Sequence, residues 1–125
     1  MLEKLDKIWV DGKLEDWDDA NVHVLTHTLH YGLGAFEGVR AYKQAGGGSA
    51  IFRLGEHIKR LFESSRLVGL EIPFKQEDIA LACLQTMQAN GLEDGYLRPL
   101  VFMGDGAMGL SATSNPTRAL VAGWK

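Results

Sequence analysis

Two helical stretches follow one another in the middle of this 125-residue chain, and all the strand-like stretches lie before or after them. A first helix is predicted over about residues 55–68 by side chains that recur at helical spacing, namely Leu54, Ile58, Leu61, Ser65 and Val68. A second helix is predicted over about residues 76–89 by the stripe of Ile79, Ala80, Cys83, Leu84 and Met87. Because helices and strands are segregated along the chain, this order predicts an α+β fold, with a mostly antiparallel sheet and two helices on one face.

A β-hairpin is predicted at residues 7–16. Asp11-Gly12 separates two short β-prone runs, and this dipeptide favours a type I′ turn because both central residues of that turn need a positive φ. Residues 22–25 are expected as a short strand or an extended arm. Residues 26–34 are polar, aromatic and irregular, and are compatible with a helical turn.

A second hairpin is predicted over residues 36–53. Residues 36–42 alternate as a strand, and the next strand begins at Ala50 after a glycine-rich connection. The alternation places four residues on one face of the first strand: Phe36, Gly38, Arg40 and Tyr42.

Two more strands are predicted near the end of the chain, at residues 96–103 and 119–124, with a loop over 104–116 between them. Pro99 lies inside the first of these strands. Since proline has no N–H to donate, that strand is expected at an edge of the sheet or with a bulge at this position.

The composition is that of one folded domain, with 46% hydrophobic and 23% charged residues. The net charge of −3 argues against a nucleic-acid partner, which needs a basic face. Cys83 is the single cysteine, so an internal disulfide is excluded and a reducing compartment fits. The sequence has no run near the ~18 apolar residues of a membrane helix, and its first residues lack a signal-peptide core. We therefore expect a cytoplasmic protein without a membrane partner.

Residues 104–109 match the G-x-G-x-x-G pattern of dinucleotide-binding loops and follow a predicted strand. Such a site also needs a helix that opens at the loop, because the helix N-terminus meets the pyrophosphate. Residues 110–116 show no helical pattern and no βαβ unit surrounds them. The glycines therefore favour a flexible loop over a nucleotide site.

Three histidines, His23, His27 and His30, lie close together in the sequence. No cysteine or carboxylate stands at a spacing that supports metal binding, so no metal site is predicted and the histidines are expected to cap or pack. No nucleophile-elbow motif supports a Ser/His/Asp mechanism.

Two arginines lie among apolar residues of the predicted strands. Arg98 shares a strand face with Tyr96, and Arg40 lies beside Phe36. A cation on such a face either forms an ion pair or binds an anion, because burying an unpaired charge is costly. Both interpretations remain open for each arginine. Arg60 lies one step off the apolar stripe of the first helix and is, by pattern, a flanking surface cation.

A series of sequence blocks stands in a distinctive order along nearly the whole chain: IWVDG (8–12), ANVHV (20–24), LHYG (29–32), FEGVRAY (36–42), FRLGEHIKRL (52–61), YLRPL (96–100) and GDGAMG (104–109). In this order they resemble the N-terminal domain of branched-chain amino acid aminotransferases, the fold-type IV, pyridoxal-phosphate enzymes. The resemblance implies the small domain of such an enzyme.

The resemblance also implies roles for individual residues. Arg60 would bind the phosphate of pyridoxal 5′-phosphate, and a guanidinium can hold a phosphate by two hydrogen bonds. Tyr31 and Phe36 would line the pocket for the substrate side chain, and Gly38 would let the backbone approach it. Arg40 would support the pocket without touching substrate.

Substrate choice is implied by the same resemblance. Arg98, helped by Tyr96, would receive the distal carboxylate of glutamate, while the apolar pocket would accept leucine, isoleucine or valine. The loop with Met108 and Leu110 would reach across a homodimer, or a higher homo-oligomer, and close the partner's pocket.

The resemblance implies that the full-length protein is an enzyme that transfers the amino group of leucine, isoleucine or valine to 2-oxoglutarate in a ping-pong reaction. Transamination needs a lysine that forms a Schiff base with the cofactor and moves a proton. None of the lysines of this chain lies in a block that matches the family's lysine block; they are Lys4, Lys7, Lys13, Lys43, Lys59, Lys75 and Lys125. We therefore expect residues 1–125 to be an N-terminal small domain without a catalytic residue, which joins a larger C-terminal cofactor-binding domain of the same protein.

Two kinds of alternative remain open. D-amino acid aminotransferases and aminodeoxychorismate lyases are also fold-type IV enzymes, but their sequences usually differ from this chain at residues 36–40. The alternative outside enzymes is a stand-alone module that keeps a ligand pocket and has no chemistry.

Overall fold

The computed structural model describes all residues 1–125. Its seven strands are β1 (Lys7–Val10), β2 (Lys13–Asp16), β3 (Gly34–Phe36), β4 (Val39–Lys43), β5 (Ser49–Ile51), β6 (Gly95–Met103) and β7 (Thr117–Trp124). Its helices are α1 (His27–Tyr31), α2 (Leu54–Leu67) and α3 (Gln76–Ala89), with a 3-10 turn at Trp17–Asp19. None of these helices combines the length and the apolar character that crossing a bilayer requires.

All seven strands join one antiparallel sheet. Its order is β2-β1-β7-β6-β4-β5, and β3 pairs with β6 alongside β4. Helix α3 packs against β1, β6 and β7, and α2 packs against α3 and β3. This arrangement confirms the predicted α+β fold, a mostly antiparallel sheet with two main helices.

Alternation along β6 and β7 separates two faces of the sheet. Leu97, Val101 and Val121 are fully buried in the core, which they form with apolar side chains of α2 and α3 such as Leu61 and Ile79. The even-numbered residues point to the opposite side, here called the outer face, and all of them except Phe102 are partly exposed. With the paired residues of β3 and β4, this face carries Phe36, Arg40, Tyr96, Arg98, Leu100, Leu120, Ala122 and Trp124.

Pro99 explains a gap in the strand beside β6. Strands β3 and β4 keep one register against β6, which places Glu37 opposite Pro99. The N–H of Glu37 donates to the carbonyl of Pro99 at 3.0 Å. In an antiparallel pair of this kind the second residue returns a hydrogen bond, but proline has no N–H with which to do so.

Two predictions about this region need correction. The prediction that the strand with Pro99 lies at an edge or carries a bulge is wrong. Strand β6 is bordered by β7 on one side and by β3 and β4 on the other, and both registers run past Pro99 without an extra residue. The single strand predicted over 36–42 is also wrong, because the missing hydrogen bond divides it into β3 and β4. Phe36 and Arg40 still lie on one face of the sheet, as predicted, because β3 and β4 keep the same register against β6.

The other elements agree closely with the sequence. The hairpin at 7–16 is confirmed as β1 and β2, and its turn residues Asp11 and Gly12 have φ values of +47° and +105°. The pairing of β4 with β5 confirms the second hairpin. Both long helices lie within one residue of the predicted bounds. Residues 22–25 form neither a strand nor a fully extended arm, because residues 24–25 form a turn. The expected helical turn is α1.

Candidate functional site

Arg98 lies on the outer face among three aromatic rings. Its Cζ atom is 4.2 Å from the ring centroid of Phe36, 5.5 Å from that of Tyr96 and 5.7 Å from that of Trp124. Its Nη2 donates to the Tyr96 hydroxyl at 3.3 Å. This is the one hydrogen bond of the Arg98 side chain, so the other N–H groups at its terminal nitrogens remain available to a ligand.

No carboxylate pairs with Arg98, and its Nε is buried without a hydrogen-bond partner. The structural ion pair left open by the sequence is therefore wrong for Arg98. A half-buried cation that lacks a counter-ion is costly, and an incoming anion relieves that cost. A carboxylate is a suitable anion, since it can accept two parallel hydrogen bonds from one guanidinium.

Gly38 makes room for the Tyr96 hydroxyl. A Cβ atom at position 38 would lie 1.8 Å from the Tyr96 Oη atom, so only glycine permits this approach. The other side of the Tyr96 ring stacks on Trp124, with the ring centroids 4.9 Å apart. Tyr96 is thereby held in position to accept the hydrogen bond from Arg98.

Arg40 is exposed and lies over the Tyr96 ring, with its Cζ 5.9 Å from the centroid. It forms no ion pair either, so that interpretation is also wrong for Arg40. Arg40 therefore contacts the site through its position over the Tyr96 ring.

Arg60, on α2, binds Glu37 with two hydrogen bonds. Arg60 Nε donates to Glu37 Oε1 at 2.5 Å, and Nη2 donates to Oε2 at 2.8 Å. His57, one turn earlier on α2, brings its Nδ1 within 3.0 Å of Oε2. The side chain of Glu37 is 4% exposed, whereas that of Arg60 is 65% exposed.

The hydrogen bonds from Arg60 lower the pKa of Glu37, and His57 acts in the same direction, while burial acts against both. The folded protein therefore holds this carboxylate charged at lower pH than the unfolded chain does. The resulting stability is complete above the unfolded pKa and is lost as pH falls through the lower folded value. The ion pair accordingly persists across the neutral range.

Helix α1 holds the glycine-rich loop between β6 and β7 at Gly109. The N–H of Gly109 donates to the Tyr31 hydroxyl at 3.0 Å, and its carbonyl lies 2.8 Å from His27 Nε2. The rings of His27 and Tyr31 pack with centroids 4.5 Å apart. Met108 and Leu110, on either side of Gly109, are exposed. The loop thus presents two apolar side chains from an anchored glycine.

Asn115 also closes the glycine-rich loop by hydrogen bonds of its side chain. No helix begins at this loop. Asn115 Oδ1 accepts from the N–H of Ala107 at 2.8 Å, and Nδ2 donates to the carbonyls of Ala107 and Gly104 at 2.8 and 3.1 Å. The G-x-G-x-x-G pattern therefore belongs to a loop that bonds to itself.

The other two histidines of the N-terminal part contact backbone groups. His23 Nδ1 accepts from the N–H of Leu25 at 3.0 Å, and His30 Nε2 lies 2.7 Å from the Val24 carbonyl. The chain has no group of three or more His, Cys, Asp or Glu side chains with an arrangement that could hold a metal ion.

The structure sorts the residues singled out in the sequence into three groups. Phe36, Gly38, Arg40, Tyr96 and Arg98 lie together on the outer face. Tyr31, Met108 and Leu110 surround the anchored Gly109. Arg60 lies on the helix side and is joined to the first group through the chain, because its partner Glu37 follows Phe36 directly.

Glu37 and Trp124 were not singled out in the sequence, and His27 was expected only to cap or pack. Alternation along the last strand could have grouped Trp124 with Leu120 and Ala122, but only the register between β6 and β7 places it on the same face as Arg98. No local pattern could pair Glu37 with Arg60 or His27 with Gly109, because 23 and 82 residues separate the members of these pairs.

The sequence profile of the family described as Amino-transferase class IV matches residues 34–123 of the chain. The chain belongs to the class IV aminotransferases. The matched range contains every outer-face residue named above except Trp124, together with Glu37, Arg60 and the glycine-rich loop.

Curated relatives agree with this assignment. The branched-chain-amino-acid aminotransferase of Pseudomonas aeruginosa is 48% identical over 117 residues, which is 94% of this chain and 38% of that protein. The enzyme of the same name from Escherichia coli K12 is 38% identical over 109 residues, which is 87% of this chain and 35% of that protein. The resemblance to branched-chain amino acid aminotransferases is thereby confirmed.

Solved structures of the same family share the fold. The T.th. branched-chain amino acid aminotransferase complexed with N-(5′-phosphopyridoxyl)-L-glutamate superimposes with a TM-score of 0.93 at 41% identity, over 98% of this chain and 41% of that one. The enzyme of Thermoproteus uzoniensis with norvaline gives a TM-score of 0.88 at 36% identity, over 95% of this chain and 40% of that one. The chain therefore spans about two fifths of the length of its relatives.

Gly38→Ala should destabilise the protein, because the added methyl group collides with the Tyr96 hydroxyl. Overpacking of this kind costs about 1–3 kcal/mol, measurable as the free energy of unfolding in denaturant. Gly55→Ala in α2 is the matched control, because its Cβ meets no atom within 4 Å. Alanine there should be neutral or stabilise by roughly 0.5–1 kcal/mol. Equal effects of the two substitutions would contradict the close approach of Tyr96.

Proposed function

We propose that this chain is the small, N-terminal domain of a pyridoxal-phosphate-dependent branched-chain amino acid aminotransferase. In that enzyme it provides the wall of the substrate pocket and one anchor for the cofactor phosphate. The observation that carries the proposal is Arg98, a cation without a counter-ion among aromatic rings on the outer face of the sheet. The family match and the branched-chain relatives support the same reaction.

The donors of this chain fit a phosphate group. Arg60 is largely exposed, and Glu37 accepts from only two of its five N–H groups, which leaves three for an anion. A phosphate can accept two such bonds in a bidentate arrangement. Relatives of known structure contain N-(5′-phosphopyridoxyl)-L-glutamate and pyridoxamine 5′-phosphate. We therefore assign pyridoxal 5′-phosphate as the cofactor and Arg60 as one of its phosphate ligands.

The bound cofactor supplies an electron sink for the negative charge that develops at the substrate Cα atom. The lysine that binds the cofactor and moves the proton is expected outside residues 1–125, in a larger C-terminal domain of the same protein. This division agrees with the two fifths of its relatives that the chain spans. The contribution of this domain is to bind and orient substrate and to exclude water.

The outer face is suited to both kinds of substrate. Phe36 offers a contact to the side chains of leucine, isoleucine and valine, and the apolar residues Met108 and Leu110 offer such contacts from the loop of a second subunit. Arg98 and the Tyr96 hydroxyl offer donors to the distal carboxylate of glutamate. A relative of known structure binds 4-methylvaleric acid, a branched aliphatic acid, and the same enzyme binds a glutamate adduct.

The anchored loop suggests how the pocket is closed. Met108 and Leu110 are exposed beside Gly109 and have no apolar partner within the loop. We assign them to the pocket of a second subunit in a homodimer or a higher homo-oligomer. Tyr31, whose hydroxyl accepts from Gly109 in the same loop, is assigned with Phe36 to the wall of the substrate side-chain pocket. Gly38 contributes by leaving room for the Tyr96 hydroxyl, and Arg40 supports Tyr96 from a position over its ring.

Arg60→Ala in the full-length enzyme should weaken the binding of pyridoxal 5′-phosphate. Hydrogen bonds to charged groups contribute about 1.5–3 kcal/mol, so the dissociation constant should rise roughly 10- to 100-fold. Titration of the apoenzyme with the cofactor measures this change. Arg66→Ala, at an exposed position of the same helix, is the matched control and should leave the constant unchanged. Wild-type affinity in Arg60→Ala would contradict the phosphate role.

Arg98→Ala should impair the half-reaction with glutamate far more than that with leucine. Glutamate loses its charge-assisted hydrogen bonds, worth about 1.5–3 kcal/mol, whereas leucine has no distal carboxylate. Single-turnover absorbance changes of the bound cofactor give both rates, and the wild-type enzyme should respond to L-leucine. Arg98→Lys keeps the charge without the two-pronged geometry and should give an intermediate glutamate rate. Equal losses for the two substrates would contradict the assignment, and a wild-type enzyme inert to L-leucine would contradict the proposed function.

A further inference from the structure

Glu37 is a buried charged residue to which the proposed reaction gives no task. Its side chain is 4% exposed, whereas Arg60, its partner, is 65% exposed. An exposed arginine on a helix ordinarily samples many rotamers, and an exposed ion pair does little to restrain it. Here the carboxylate is buried and accepts two hydrogen bonds, so the guanidinium is restrained to one orientation.

Contacts that do not involve Arg60 fix Glu37 in place. Its backbone N–H donates to the Pro99 carbonyl at 3.0 Å, and its Oε2 lies 3.0 Å from His57 Nδ1. The sheet therefore determines where the carboxylate of Glu37 lies, and the carboxylate determines where the guanidinium of Arg60 lies.

The pairing leaves one edge of the guanidinium free. Nε and Nη2 of Arg60 each donate one N–H to Glu37. Of the five N–H groups, two on Nη1 and one on Nη2 remain. These two terminal nitrogens form the edge that can bind two oxygens of a phosphate group.

We propose that Glu37 is a positioning residue that directs this free edge of Arg60 toward the cofactor phosphate. The inference rests on the proposed function, from which it takes the phosphate role of Arg60. Glu37 touches neither cofactor nor substrate and acts through Arg60.

Charge and position predict opposite effects when Glu37 is neutralised. Removing a carboxylate near a phosphate dianion removes a repulsion, so charge alone predicts tighter binding of the cofactor. Losing part of the bidentate pair lets the Arg60 guanidinium move, so the loss of its fixed position predicts weaker binding of the cofactor. The buried carboxylate of Glu37 is separated from the phosphate by the guanidinium of Arg60, so the repulsion acts over a longer distance than the hydrogen bonds that Arg60 donates. We therefore expect the positional effect to be the larger.

The test is a double-mutant cycle of Glu37→Gln and Arg60→Ala in the full-length apoenzyme. Fluorescence titration gives dissociation constants for pyridoxal 5′-phosphate and for pyridoxal, which lacks the phosphate. Glu37→Gln should weaken the binding of pyridoxal 5′-phosphate roughly tenfold, leave that of pyridoxal unchanged, and have no further effect when Arg60 is alanine. Glu63→Gln, at an exposed position of the same helix, is the matched control and should bind as the wild type does.

Glu37→Asp provides a second variant that keeps the charge and shortens the side chain by one methylene. It should also weaken pyridoxal 5′-phosphate selectively, and it replaces Glu37→Gln if that variant does not fold. Unchanged or tighter binding in the Glu37 variants, with weaker binding in Arg60→Ala, would overturn the positioning role and leave the proposed function intact. Equal losses for pyridoxal and its phosphate would also overturn it. Wild-type affinity in Arg60→Ala would overturn both proposals.

Discussion

One hydrogen bond in the middle of the sheet determines how the candidate site is arranged. The N–H of Glu37 donates to Pro99, and Pro99 has no N–H with which to complete the pair. The neighbouring strand is therefore interrupted at this point but keeps its register, so successive side chains still point to opposite faces. As a result Phe36 contacts Arg98 on the outer face, and the next residue, Glu37, contacts Arg60 on the helix side.

The two arginines differ in their surroundings in a way that suits two different ligands. Arg98 has aromatic neighbours and an unpartnered Nε, and it has no carboxylate that an incoming anion must displace. Arg60 has a permanent partner that is buried and fixed, yet keeps three N–H groups free. The first arrangement is suited to substrates that bind and leave in every cycle. The second is suited to a group that stays bound.

Local patterns in the sequence were sufficient for the framework of the fold. The two helices follow from apolar periodicity, and the first hairpin follows from Asp11-Gly12, whose positive φ values the turn requires. Arg98 could be selected because it shares a strand with aromatic residues. These features depend on neighbours a few residues away, which a single sequence displays directly.

Contacts between distant segments could not be found in this way. By its helical pattern Arg60 was a flanking surface cation, because its partner Glu37 lies 23 residues earlier and on a strand. The strand with Pro99 was expected at an edge or with a bulge. Sequence alone does not reveal that the position without a backbone donor lies opposite the gap between β3 and β4. The anchoring of Gly109 by His27 and Tyr31 likewise depends on how the loop folds back onto α1.

A crystal structure of the full-length enzyme with pyridoxal 5′-phosphate and a glutamate analogue tests the central claim most directly. We expect Arg60 to keep its pair with Glu37 and to place its terminal nitrogens about 3 Å from phosphate oxygens. We also expect Arg98 to contact the distal carboxylate. A phosphate bound away from Arg60, or a distal carboxylate that does not approach the outer face of the sheet, would contradict this account.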